Sequence, residues 1–131
     1  MSANVRVIED LLAAFGRGDM QAVLDLFAVD VDWRMPGPNV IPYVGDRKGR
    51  KAIEAFYKQL AELCSVEHWE LRKLIDGGDD VVALGFERLR VKSTGKAFEQ
   101  HIAIVYTLRH GKIAAVQFFE DCAAAAAAFA K

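Results

Sequence analysis

Residues 97–121 read AFEQHIAIVYTLRHGKIAAVQFFED, and this stretch decides the fold. Apolar residues alternate with polar ones on both sides of a single break at His110-Gly111, where two turn-forming residues meet. The pattern predicts two strands, Ala97–Arg109 and Lys112–Asp121, joined by a tight turn. The same grammar repeats upstream. Ser93-Thr94-Gly95 separates this pair from a strand over Asp80–Ser93, and Asp76-Gly77-Gly78-Asp79 separates that from one over Val66–Asp76. The second half of the chain therefore reads as an antiparallel meander.

The first half reads as helix. Val5, Ile8, Leu11, Leu12 and Phe15 recur at helical spacing until Gly16-Arg17-Gly18 interrupts them. Asp19 suits the N-cap of a short second helix bearing Val23, Leu24, Leu26 and Phe27. Val31–Met35 alternates like a strand and stops at Pro36-Gly37-Pro38. A third helix is expected from about Gly49, with Ile53, Phe56, Tyr57, Leu60 and Leu63 as its buried stripe. The alanine-rich tail, Ala123–Ala128 followed by Phe129, suits a short terminal helix or a frayed end. Helices packed on one face of a meander make an α+β domain, and no linker or repeat divides residues 1–131.

Composition narrows the function classes. Seventeen Lys and Arg against 18 Asp and Glu leave a net charge of −1, which lacks the electrostatic footprint of a nucleic-acid binder. Hydrophobic residues make up 53% of the chain and mean hydropathy is +0.10, yet no apolar run reaches the roughly 18 residues of a membrane span. The N-terminus carries Arg6, Glu9 and Asp10 in place of a signal peptide's apolar block. Cys64 and Cys122 are too few for a disulfide framework and suit reduced thiols in a cytoplasm. The apolar surplus is what needs a destination.

Several segments, taken in order, carry a resemblance. They are Phe15-Gly16-Arg17-Gly18-Asp19, Leu26–Trp33, Gly49-Arg50-Lys51-Ala52-Ile53, Ile75–Val82, Thr94–Phe98 and Thr107–Ile113. Together they resemble the nuclear transport factor 2-like superfamily and, within it, the SnoaL-like polyketide cyclase group. The resemblance implies a conical fold in which a curved antiparallel sheet wraps a long helix and leaves a pocket at the wide end. It also implies a homodimer through the outer sheet face. Activities in the superfamily include cyclases, isomerases, epoxide hydrolases and dehydratases, while other members only bind, so fold does not settle function. At the positions where ketosteroid isomerases carry a tyrosine, a carboxylate base and a protonated aspartate, this chain carries Leu11, Met35 and Ile104. Where SnoaL cyclases and limonene-type epoxide hydrolases carry their aspartate, it carries Phe118. By resemblance, the pocket wall is apolar where its relatives are acidic.

Strand parity adds a reading independent of the family. Leu84 and Phe86, then Ile102, Ile104 and Tyr106, then Val116 and Phe118, are expected on one inner face. The opposite parity carries Glu87, Glu99, His101, Gln117 and Asp121 interleaved with Leu89, Val91, Ala103, Val105 and Phe119, a mixture suited to a dimer interface. On the inner parity, Glu120 and Arg88 stand near the strand ends. An Arg88–Glu120 pair can bind a polar substrate group or close the sheet end as a structural ion pair. Tyr43, in the Pro36–Tyr43 loop over the mouth, and Tyr57 on the third helix can add hydroxyls. Glu120, Tyr43 and Arg88 are thus the candidate catalytic groups. Leu11, Phe15, Trp33, Met35, Tyr57, Phe86, Ile104 and Phe118 are the candidate pocket lining.

Other polar features read as ordinary surface. His101 can pair with Glu99 or Asp121 as a titrating catalyst, but its parity puts it outside. No histidine or carboxylate spacing matches a metal-ligand motif, and no cofactor is implied. Asp30-x-Asp32 suits solvated carboxylates, Arg47–Lys51 a solvated basic run at a helix start, and Asp76–Asp80 a hairpin turn. Two functions remain. One is a pocket protein binding a small apolar or aromatic molecule, such as a polyketide or steroid-like compound, with proton transfer or cyclisation if it is an enzyme. The other is a non-catalytic dimeric module whose interior is filled by its own side chains. An open cavity favours the first and a filled interior the second.

Overall fold

The computed structural model describes residues 2–131. Helices α1 (Ala3–Gly16) and α2 (Met20–Asp25) lead into strand β1 (Phe27–Met35). A short strand β2 (Gly45–Lys48) precedes helix α3 (Arg50–Leu63). Strands β3 (Cys64–Gly77), β4 (Asp80–Val91), β5 (Ala97–Arg109) and β6 (Lys112–Glu120) follow, and helix α4 (Cys122–Phe129) closes the chain. The sheet runs β2-β1-β6-β5-β4-β3. Every neighbouring pair is antiparallel except β1 with β6. No helix among the described residues is long and apolar enough to cross a membrane.

Each helix starts where its sequence allows. Ser2 Oγ accepts from the Val5 amide at 3.1 Å, and Asp19 Oδ1 accepts from Ala22 at 3.1 Å. Asp121 caps α4 by accepting from the Ala123 amide at 3.1 Å, which turns the alanine run into an ordered helix. Gly49 precedes α3 with a positive φ of 87°, and a Cβ there would lie 3.4 Å from the Val29 carbonyl. Ile8, Leu11, Val23 and Ile53 bury the helical stripes against Phe27, Val31 and Trp33 of β1 and Ile113 and Val116 of β6.

Register decides which side chains face the helices, and here the structure corrects the sequence reading. On β5 and β6, Ile102 lies opposite Glu120, Ile104 opposite Phe118 and Tyr106 opposite Val116, all facing inward as expected. On β4 the expected parity is reversed. Arg90 pairs with Ala97, Leu84 with Ala103 and Phe86 with His101, so Val81, Ala83, Gly85, Glu87, Leu89 and Val91 face the helices. The connection between the paired Arg90 and Ala97 holds an even number of residues, so partners on β4 and β5 have opposite index parity. A one-residue difference in register moves a whole row to the other face.

Two smaller differences follow from β1. It begins at Phe27, four residues before the expected start, so Asp30 and Asp32 lie within it on the outer side. It also recruits β2 as an edge partner, with Lys48 opposite Asp32 and its Nζ 3.0 Å from Asp32 Oδ1. Arg47 and Lys48 are therefore strand residues, and only Arg50 and Lys51 of the basic run belong to α3.

Candidate acid–base site

The helix-facing side of the sheet is apolar except at one end. There Gln100 on β5 lies opposite Glu87 on β4, and Glu120 on β6 lies opposite Ile102, one inward position further along β5. Gln100 Nε2 donates to Glu87 Oε2 at 2.6 Å and to Glu120 Oε2 at 2.8 Å. One buried amide thus ties together two partly buried carboxylates from flanking strands. Gln100 is only 4% exposed, and its Oε1 has no hydrogen-bond partner. Among the described residues, neither Glu87 nor Glu120 takes part in a salt bridge.

Burial without a countercharge disfavours ionisation. Desolvation raises the proton affinity of Glu87, opposed in part by the Gln100 hydrogen bond. Desolvation, reinforced by the charge of Glu87, pushes Glu120 up to about 7. Two carboxylates this close resist losing both protons, so the pair titrates as a unit. Around them, burial raises Tyr43 far above the ordinary phenol range, with Cys64, Glu120, Glu87 and Cys122 adding to the effect. Cys64 is pushed up to about 11 by burial and then by Glu87, and Cys122 is raised by burial and then by Glu120. Both thiols are therefore inert as nucleophiles near neutrality.

A cover lies over this end. Ala125, Ala128 and Phe129 of α4 are buried, and the Phe129 ring lies 5.8 Å from that of Tyr43. Thr94 Oγ1 donates to the Ala128 carbonyl at 2.6 Å, and Lys96 Nζ donates to Ala130 at 2.7 Å, fastening the tail to the β4–β5 turn. Cys122 Sγ lies 3.3 Å from the Pro36 carbonyl, which ties α4 to the loop before β2.

The residues expected to line a pocket separate into three places. Leu11, Trp33, Met35, Ile104 and Phe118 are buried, and Tyr57 is partly buried beside them. Trp33 lies 4.7 Å from both Phe56 and Phe118 and 6.0 Å from Tyr57, centroid to centroid, so aromatic side chains fill this region. Phe15 is 42% exposed at the end of α1, edge-on to Tyr57 at 4.7 Å. Phe86 is a correction: it lies on the outer face against His101 at 5.1 Å, with the Arg72 guanidinium 5.1 Å from its ring.

Arg88 is a second correction. It sits on the outer face, where its Nε reaches Glu67 at 2.8 Å and its Nη1 reaches Glu99 at 2.9 Å. No Arg88–Glu120 pair forms, because the two residues occupy opposite faces of the sheet. Glu120 and Tyr43 do come together at the inner end, in the company of Glu87 and Gln100, which the sequence reading had not selected. Gln100 was findable, since it continues the even-numbered inward row of Ile102, Ile104 and Tyr106. Glu87 was hidden by the reversed parity of β4.

The outer face keeps a mixed character. Leu84, Phe86, Ala103 and Val105 are partly buried and Phe119 is 56% exposed, bordered by the Glu67–Arg88–Glu99 and Glu67–Arg90 pairs. A depression of about 280 Å³ lies toward β1 and β6, lined by Asp32, Arg34, Val105, Thr107, Ala115 and Gln117, remote from the buried carboxylates.

Comparison with known proteins places the fold among relatives. The family model of the SnoaL-like domain matches residues 8–116. An uncharacterised protein of Mycobacterium tuberculosis is 27% identical over 123 residues, covering 93% of this chain and 92% of its own length. The crystal structure of an NTF2-like protein from Burkholderia xenovorans shares 31% identity at a TM-score of 0.90, covering 98% of this chain and 96% of that one. One from Burkholderia thailandensis shares 26% identity at the same TM-score of 0.90, with both chains covered in full.

Proposed function

This chain belongs to the SnoaL-like domain family, and from that membership we propose that it is a small-molecule acid–base catalyst of the lyase or isomerase kind. The observation that carries the proposal is the Gln100-bridged Glu87–Glu120 pair, whose second member is held at about 7. A group poised near the working pH transfers protons in both directions at low cost, which is what an acid–base catalyst requires. Two interacting carboxylates in an apolar wall supply one base and one acid in the same protonation state. Tyr43 is kept neutral by its burial and serves as a hydrogen-bond donor toward developing negative charge. The substrate is a small, largely apolar molecule, because the rest of the helix-facing surface is apolar.

Pairing with a second copy through the outer face is part of this proposal. Its partly exposed apolar residues, edged by charged pairs, have the composition of an interface core with a polar rim. A cytoplasmic setting suits the two free thiols.

The test is a thermal-shift screen of apolar small molecules at pH 5.5 and pH 8, followed by solvent-deuterium incorporation into each compound that binds. Wild-type protein is expected to label a binder at carbon, and Glu120→Gln to bind it without labelling. Binding with no labelling by either protein would overturn the catalytic reading. One observation favours a second reading: Trp33, Phe56, Tyr57 and Phe118 fill the centre, as in a module without a ligand. A screen in which no compound raises the melting temperature would select it.

A further inference from the structure

The polar end of the interior is unbalanced in a specific way. Gln100 Nε2 spends its donors on one oxygen of Glu87 and one of Glu120, while Gln100 Oε1 is buried with no partner. Each carboxylate accepts one side-chain hydrogen bond, from Gln100, and neither has a cation to neutralise it among the described residues. Buried acceptors left without donors, and buried anions left without countercharge, are costly. A ligand that brought several N–H groups and a positive charge would relieve both costs at once.

Beside this cluster lies an aromatic surface that the filled centre does not use. Trp69 of β3 is opposite Glu87 in register, so the two share the helix-facing side. Its ring reaches across to β4, where a Cβ on Gly85 would come within 2.8 Å of Trp69 Cη2 and 3.1 Å of Cζ3. The absence of a side chain at Gly85 therefore admits the indole beside Glu87. Trp69 remains 38% exposed, as does Leu71, the next inward residue of the same edge strand. An indole next to a carboxylate pair is suited to a molecule with an apolar body and a cationic end, the body on the ring and the charge at the carboxylates.

We propose that Glu87, Gln100 and Glu120, with Trp69 as the aromatic wall, bind a protonated primary amine carried on an apolar or aromatic body. This assignment rests on the same carboxylate pair as the catalytic reading and names the class of molecule that the pair receives. The ammonium group donates to the free oxygens of Glu87 and Glu120 and to Gln100 Oε1. The apolar body lies against Trp69 and Leu71. Because the cation favours the doubly ionised pair, its binding releases protons near neutrality and strengthens as pH rises toward 8.

The experiment compares three probes of one shape by calorimetry: phenylethylammonium, phenylethanol and phenylpropionate. At pH 8 the ammonium is expected to bind at least about tenfold more tightly than the alcohol, with the carboxylate weakest. At pH 5.5 that preference is expected to shrink several-fold as the pair takes up protons. Trp69→Ala is expected to weaken the ammonium and the alcohol alike, and Glu87→Gln to remove only the preference between them. Equal binding of amine and alcohol, tighter binding of the carboxylate, or no binding by any probe would overturn the assignment. Titration of Glu120 in ligand-free protein separates this from the catalytic reading. If Glu120 titrates near 7 and the amine is not preferred, the ligand class fails and the acid–base reading stands. If the amine is preferred equally at both pH values while Glu120 titrates as an ordinary carboxylate, the ligand class stands without its pH dependence and the acid–base reading fails.

Discussion

Glu120 illustrates how one residue ties stability to chemistry. Its carboxyl is raised from an ordinary value of 4.5 to about 7, so between those values the folded protein holds a proton that the unfolded chain has lost. This contribution to stability is fully present below about 4.5, declines as pH rises, and is gone above about 7. Glu87 is shifted in the same direction and adds to the trend. The free energy involved is on the order of 3 kcal/mol. Urea unfolding is therefore expected to show wild-type protein losing stability from pH 5 to pH 8, and Glu120→Gln losing much less. At pH 8 the variant should be the more stable of the two. A wild-type protein whose stability rises over this range would show that Glu120 is not buried as described. Glu120 was legible in the sequence because it sits two residues beyond Phe118 on a strand whose inward parity was plain.

At the scale of elements, the strands were easier to read than the faces they present. The turn at His110-Gly111 and the bounds of β5, Ala97–Arg109, follow from alternation and turn chemistry alone. Facing cannot be read that way, because β4 alternates apolar residues on both of its sides. Val82, Leu84 and Phe86 compete with Val81, Ala83, Leu89 and Val91 for the interior. Only the register across the turn decides, and it is held by the Val91 amide donating to Lys96 at 2.8 Å and Gly95 donating to Val91 at 2.8 Å. That one ambiguity hid Glu87 and misplaced Phe86 and Arg88. β2 was missed because a four-residue strand has no periodicity of its own and exists as a partner for β1. α4 makes an element-scale prediction. Phe129 is 9% exposed and packs on Tyr43, so Phe129→Ala should cost about 3 kcal/mol in unfolding free energy. It should also quicken hydrogen exchange of α4 amides. A variant with unchanged stability and exchange would mean that the tail does not cover the carboxylate end.

For the whole molecule, the apolar surplus divides between the helix-facing side and the outer face of one sheet. The first is mostly filled by aromatic packing and becomes polar only where Glu87, Gln100 and Glu120 meet. The second carries Phe86 and Phe119 among ion pairs, as a surface for a second copy would. Phe119→Lys is expected to shift sedimentation from dimer to monomer while leaving the pH dependence of stability in place. A wild-type protein that sediments as a monomer at high concentration would remove the pairing proposal alone. The family was legible from ordered short segments, whereas the Glu87–Glu120 pair was not. Leu11, Met35, Ile104 and Phe118 are buried apolar residues, and the carboxylates stand elsewhere on the helix-facing side.

Both the proposed chemistry and the pH dependence of stability turn on Glu87 and Glu120 holding protons as one coupled pair. Carbon-detected NMR of side-chain carboxyls across pH 3 to 9 tests it most directly, in wild-type protein and in Glu87→Gln. Glu120 is expected to titrate near 7 in the wild type and lower in Glu87→Gln, yet still above the ordinary carboxylate range, because burial persists when the charge of Glu87 is removed. Titration of Glu120 between about 4 and 5 in both proteins would contradict it.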